Sequence, residues 1–169
     1  MTQTSQPGWR PLTPADLDGV VAVADVVHPD FPEDRSVFVN RLELFPDGCM
    51  GFDRGAGLEG YLVSHPARLD TPPPLDTCFP ALPDGADCHY IHDLALLPSC
   101  RGSGAGKAAV KLAAEVAARH GFDRMALVAV NNSGAFWTRC GFRPLACDAT
   151  RARLASYGED ALLMLRDLA

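Results

Sequence analysis

The sequence predicts an α/β fold in one domain spanning residues 1–169, and three observations predict it. The chain is 47% hydrophobic and 21% charged over 169 residues, enough for a single sizeable core. Apolar spacing changes along the chain between helical and strand periods, in the order helix, helix, strand, strand, strand, helix, strand, helix, strand. The unit over residues 89–130 reads strand, glycine turn, helix, strand. A helical crossover of that length returns the chain in the same direction, so these two strands should lie parallel.

The elements follow in order. Pro14 opens a helix to about Val27, with Leu17, Val20, Val21 and Ala24 on one face. The run His28-Pro29-Asp30-Phe31-Pro32 breaks it. A second helix is expected over 34–44, ended by Pro46-Asp47-Gly48, and then a hairpin of strands at 50–54 and 60–64 around Gly55–Gly57. Residues 66–87 hold six prolines and no periodicity, which predicts a long irregular insertion, either covering a site or neutral. A buried strand follows over 91–97, then a helix over 107–119. That helix carries Lys107, Lys111, Glu115 and Arg119 on its solvated stripe, with Gly121 as C-cap. A strand at 124–130, a short helix at 133–140 stopped by Gly141, a loop over most of 150–160 and a strand at 161–168 complete the chain.

The most informative stretch is Arg101-Gly102-Ser103-Gly104-Ala105-Gly106-Lys107. Glycines between a strand and a helix let main chain approach a ligand, and the helix start offers free N–H groups and a positive dipole end. Arg101 and Lys107 add charge, so the pattern points to a phosphate-bearing ligand. A nucleotide P-loop is excluded, because Arg101 stands where its first glycine belongs and Ala108 replaces its hydroxyl residue. The dinucleotide fingerprint is excluded because Gly106 falls one position early.

Residues 101–106 resemble the R/Q-x-x-G-x-G/A signature of the GCN5-related N-acetyltransferase (GNAT) superfamily. Leu94-Ala95-Leu96 resembles the end of the strand before that signature, and Asn131, Asn132 and the segment Phe136-Trp137-Thr138-Arg139-Cys140-Gly141-Phe142 resemble the motif after it. The resemblance spans residues 88–145. It implies a mixed, twisted central sheet with helices on both faces, and splayed parallel strands with a pantetheine arm between them. It implies acetyl-CoA as cosubstrate, held by Leu94, Ala95, Leu96, Arg101, Gly102, Ser103, Gly104, Ala105, Gly106, Lys107, Asn131, Asn132 and Phe136, with an oxyanion contact at the Leu96 main chain.

Acetyl transfer needs a proton taken from the amine and an oxyanion held by N–H donors. His92 is the base expected here. The order Tyr90-Ile91-His92-Asp93-Leu94 resembles the strand of aralkylamine-type acetyltransferases, which implies a histidine relaying a proton through water. The other reading makes His92 a core histidine pinning the strand. Alternation puts Tyr90, His92 and Leu94 on one face, and a bulge near Leu94 would reverse the phase beyond it. Asp93 is the reserve base. The tyrosine that relatives place in the short helix is Trp137 here, a packing residue, so Tyr157 is the substitute acid unless water suffices.

The formal net charge is −6, which argues against a nucleic-acid partner. Residues 1–10 lack the apolar core of a signal peptide, and no apolar run is long enough to span a membrane. Cys49, Cys78, Cys88, Cys100, Cys140 and Cys147 show no metal spacing, so reduced thiols in a cytoplasm and no metal are expected. The functional expectation is direct acetyl transfer, in a ternary complex, to an amino group of a small molecule or peptide. The alternatives are another acyl group or a non-catalytic acyl-CoA-binding sensor or partner subunit. A homodimer is compatible with the resemblance.

Overall fold

The computed structural model describes residues 8–145 and 151–168. Its strands are β1 (Trp9–Pro11), β2 (Cys49–Asp53), β3 (Leu58–Ala67), β4 (Cys88–Leu96), β5 (Arg124–Ala129), β6 (Arg143–Pro144) and β7 (Leu162–Asp167). They form one mixed sheet in the order β1-β2-β3-β4-β5-β7-β6. Only β4 and β5 pair in parallel, as the crossover predicts; the other neighbours are antiparallel.

Helices cover both faces. On one, α1 (Leu17–Val27) and α2 (Arg35–Leu44) pack Leu17, Val20, Val23, Phe38 and Leu42 against Tyr61, Val63 and Ala95. On the other, α3 (Ala105–Arg119) buries Ala109, Val110, Leu112, Ala113 and Ala117 against Leu62, Ile91, Met125 and Leu127. The α4 helix (Gly134–Arg139) adds Trp137 to that core. Lys107, Lys111 and Arg119 stay exposed, and Gly121 follows the helix end at φ +80°. That left-handed turn is the one the C-cap reading requires.

Several expectations need correction. Trp9–Pro11 forms a short strand, anchored because buried Trp9 donates its indole N–H to the Ala105 carbonyl at 3.1 Å. The β3 strand runs to Ala67, so Pro66 is in the sheet and the insertion is residues 68–87. Pro66 is tolerated because β2 pairs with β3 only as far as Val63, which leaves that edge without a main-chain acceptor to serve. The loop expected within 150–160 contains a 3-10 helix, Ala152–Tyr157. Cys147 and residues 146–150 lie outside the described residues.

Two irregularities of β4 build the site. First, Val63 pairs with Asp93 but Ser64 pairs with Ile91, so His92 is an extra, bulged residue. Side-chain phase therefore changes at His92, two residues before the position expected: Ile91, Leu94 and Leu96 share the α3 face, and Ala95 points to α1 and α2. Second, β4 and β5 pair only over His89–Ile91 and Met125–Leu127. Beyond that the two strands part. β4 runs on to Leu96 beside β3 alone, and β5 runs on to Ala129 beside β7.

Candidate active site

The parting of β4 and β5 opens a cleft of about 720 Å³. At one end lies the glycine turn. Gly102 and Gly104 sit at φ +78° and +86°, and a Cβ on either would meet nothing within 4 Å, so the main chain there borders open space. Gly104 caps α3, and the first intrahelical bond runs from Ala108 N–H to the Gly104 carbonyl at 3.1 Å. The N–H groups before it have no helical acceptor. Ser103 turns inward, donating to the Cys100 carbonyl at 2.5 Å and accepting from Ala105 N–H at 3.3 Å. Gly106 serves packing instead. A Cβ there would stand 3.1 Å from the Phe136 ring, so its bareness seats Phe136 against α3. Arg101, Lys107 and Arg139 line this end with positive charge. A bare main chain, a helix N-terminus and these cations fit a pyrophosphate.

The sequence-predicted ligand residues divide. Leu94, Leu96, Arg101, Gly102, Gly104, Gly106, Lys107, Asn131 and Phe136 line the cleft. Ala95 does not, because the bulge turns its side chain to the opposite core. Ser103, Ala105 and Asn132 also lie off the cleft wall. Asn131 and Asn132 occupy left-handed backbone at φ +54° and +56°, a region asparagine enters more readily than most residues.

At the other end the bulge presents two acid–histidine pairs. His92 Nε2 lies 2.8 and 3.1 Å from the two Glu33 oxygens. The His92 side chain has 0% exposure and Glu33 4%, while His92 Nδ1 is buried with no hydrogen-bond partner among the described residues. The second pair is His28 Nε2 with Asp93 Oδ1, 2.9 Å apart. Tyr61 donates its hydroxyl to the other Asp93 oxygen. Burial works to raise the Asp93 pKa, but contacts with His28 and Tyr61 outweigh it and hold the carboxyl below its ordinary range. Burial likewise works to lower His28, and Asp93 more than offsets that, so its pKa is raised. Asp93 is a poor base: both its oxygens are taken and its proton affinity is reduced.

Tyr157 is on the cleft wall, but its hydroxyl donates to the Pro73 carbonyl at 2.8 Å. Burial pushes it up to about 12. It secures the insertion rather than offering a free proton. Trp137 packs between Phe136 and Phe142, its indole N–H on Ser133 Oγ at 3.2 Å.

The sequence pattern of the acetyltransferase (GNAT) family matches residues 48–142, more than half of the chain. The chain belongs to the GNAT family. No curated protein sequence matches this GNAT-family chain. Among solved structures it is similar to Ard1 from Thermoplasma volcanium, with TM-score 0.70 and 15% identity over 95% of this chain and 97% of that one. It is also similar to GphF, a GNAT-like decarboxylase in complex with isobutyryl-CoA, with TM-score 0.75 and 13% identity over 95% and 99% of the two chains. The third is N-acetylglutamate synthase from Neisseria gonorrhoeae complexed with coenzyme A and N-acetyl-glutamate, with TM-score 0.70 and 17% identity. Here the match covers 99% of this chain but only 36% of the synthase chain.

Sequence patterning does not reveal two site residues of this GNAT-family chain. Glu33 and His28 sit in a segment whose pattern marks only a helix break, and nothing local identifies them as partners of His92 and Asp93. A weak signal lies in the prolines around them, Pro29 and Pro32, which fix the main chain on leaving α1. Among the described residues, no group of three His, Cys, Asp or Glu side chains could hold a metal ion, and no helix is long and apolar enough to cross a membrane.

Proposed function

We propose that the protein transfers an acetyl group from acetyl-CoA to the amino group of a small molecule or peptide, in a ternary complex. The observation that carries this reading is the continuity of the cleft, from the cationic glycine turn through the parted strands to the bulge at His92. Acetyl-CoA supplies the activated acyl group as a thioester. Gly102, Gly104, Arg101, Lys107 and the α3 N-terminus hold its pyrophosphate. Leu94 and Leu96 line the path of the pantetheine arm, and the unpaired main chain of β4 beyond Ile91 supplies N–H donors toward the thioester oxygen.

The acceptor amine forms the C–N bond, the C–S bond breaks, and the sulfur leaves as thiolate. One proton must leave the nitrogen. Glu33 accepts His92 Nε2–H, which directs Nδ1 to take that proton; because the ring has no exposed surface, a bridging water carries it. The thiolate needs no dedicated acid, since a thiol of pKa about 8.5 can be protonated by solvent. Tyr157 is left out of this step because its proton is engaged by Pro73. A cytoplasmic location, with reduced thiols, completes the reading.

The testing experiment is thiol release from acetyl-CoA with a panel of amines, beside release from isobutyryl-CoA. Amine-dependent release that is faster with acetyl-CoA supports the reading. Calorimetric binding of coenzyme A with no amine-dependent release would replace it by an acyl-CoA-binding sensor.

A further inference from the structure

The cleft changes character along its length. The lysines and arginines on its wall, Arg101, Lys107 and Arg139, stand at the glycine turn. At the His92 end the charged groups on the wall are Glu33 and Asp93 with their histidine partners. Even with His28 charged, the two carboxylates leave this end without net positive charge. Both are largely buried, so salt screens them weakly.

The rest of this end is apolar. Val27, Phe31 and Leu75 line it, and main-chain bonds gather them around His92. Phe31 N–H donates to the His28 carbonyl at 3.1 Å, and Leu75 N–H donates to Ser156 Oγ at 3.1 Å, beside Tyr157. The next residue, Asp76, donates its main-chain N–H to Glu33 at 3.0 Å. The polar side chains here are already paired: Glu33 with His92 and Asp76, Asp93 with His28 and Tyr61, the Tyr157 hydroxyl with Pro73. A peptide entering this end would bury amides that find no partner. A carboxylate would lose its hydration with no cation to receive it, beside two charges of its own sign. Both are costly. We propose that the acceptor is a small primary amine on a hydrocarbon body without a carboxylate, the body against Val27, Phe31 and Leu75 and the nitrogen toward His92. This rests on the acetyltransferase reading and adds the acceptor class to it. Glu33 and Asp93 then select as well as support, drawing an ammonium in and turning a carboxylate away.

The test measures thiol release from acetyl-CoA with phenethylamine and 3-methylbutylamine. Beside them are phenylalanine and leucine, which add only a carboxylate, ethanolamine, which lacks the hydrocarbon body, and a tripeptide amide beginning with phenylalanine. In the wild type the two amines should exceed their amino acids by about 100-fold or more in kcat/KM. They should exceed ethanolamine by about 10–100-fold. Phe31→Ala should shrink the lead of phenethylamine over ethanolamine by about tenfold. Leu75→Arg, which sets a cation on the apolar wall, should shrink the lead over the amino acids by about tenfold or more. The wild-type ranking decides without either variant, should one fail to fold. Amino acids or the peptide used as well as the amines overturn the proposal. So does ethanolamine used equally, or a ranking that neither variant moves. If no acceptor is turned over, the acetyltransferase reading falls by itself, and calorimetry of phenethylamine and phenylalanine with excess coenzyme A decides. The amine bound about tenfold or more tightly than the acid sustains the apolar pocket; equal or absent binding overturns it.

Discussion

Acid should destabilise this fold through His89, and the size of the effect follows from its surroundings. His89 is fully buried, its Nε2 2.9 Å from Ser64 Oγ, with Phe45 and Phe122 beside the ring. Burial, with a smaller push from the His120 charge, lowers its pKa to about 4. The unfolded chain titrates at about 6.5. Between these values the unfolded state binds a proton that the fold refuses, so stability is complete above pH 6.5 and is lost as pH falls through 4. At ~1.36 kcal/mol per pH unit this amounts to about 3 kcal/mol, most of it by pH 4.5. His65, lowered well below its ordinary value mainly by burial, acts in the same direction. His28 has the opposite sign: its raised pKa adds stability below pH 6.5 that is lost as pH rises, so it does not steepen the acid limb. Denaturant unfolding at pH 7, 5.5 and 4.5 should show the loss. His89→Gln keeps a partner for Ser64, removes the titration and should flatten the profile by about 2–3 kcal/mol. Parallel profiles for the two proteins would refute the assignment.

Other perturbations address the site. Coenzyme A should bind the wild type with micromolar affinity by calorimetry, about −8 kcal/mol; Gly104→Asp should abolish binding, because it sets a carboxylate at the pyrophosphate and a side chain at φ +86°, and unchanged affinity would sink the phosphate-loop assignment. His92→Gln should cost about 3–5 kcal/mol of transition-state stabilisation with coenzyme A affinity intact, a loss of 10²–10⁴-fold in kcat/KM; a near-normal rate would return His92 to a structural role. Asp93→Asn, which strips the charge from the His28 and Tyr61 contacts, should lower thermal stability more than it lowers the rate constant per folded enzyme. Replacing residues 68–84 by a short Gly-Ser linker should raise the acceptor KM and leave coenzyme A binding near wild type, and unaltered acceptor kinetics would make the segment neutral.

What could be read in the sequence was local. The glycine turn, the α3 stripe and the crossover each depend on residues close in the chain, so the sheet type followed from their order, the family from the resemblance of their motifs, and the position of the glycine turn at the start of α3 from the same few residues. The His92 end of the cleft depends on pairs separated by 59 residues in the case of Glu33 and His92, or 32 for Tyr61 and Asp93. No periodicity encodes such pairs. The bulge escaped for a related reason: it is a mismatch between two strands, visible only when Val63 and Ser64 are set against their partners. Trp9–Pro11 is too short to show alternation, and its place comes from one indole hydrogen bond to α3.

The parting of β4 and β5 has a consequence for how the folded state responds to metabolite levels. Past Ile91 one flank of β4 is an edge strand inside the sheet rather than at its rim, with main-chain donors and acceptors that no neighbouring strand uses. A ligand whose own amides run along that gap completes the ladder as a surrogate strand. Binding and folding then share one free energy: at 100 times its dissociation constant such a ligand adds about 2.7 kcal/mol to stability. Amide exchange along residues 92–96 and 128–130 should slow most on loading. On the proposed reading, the protein without cosubstrate should exchange its amides fastest along this same seam.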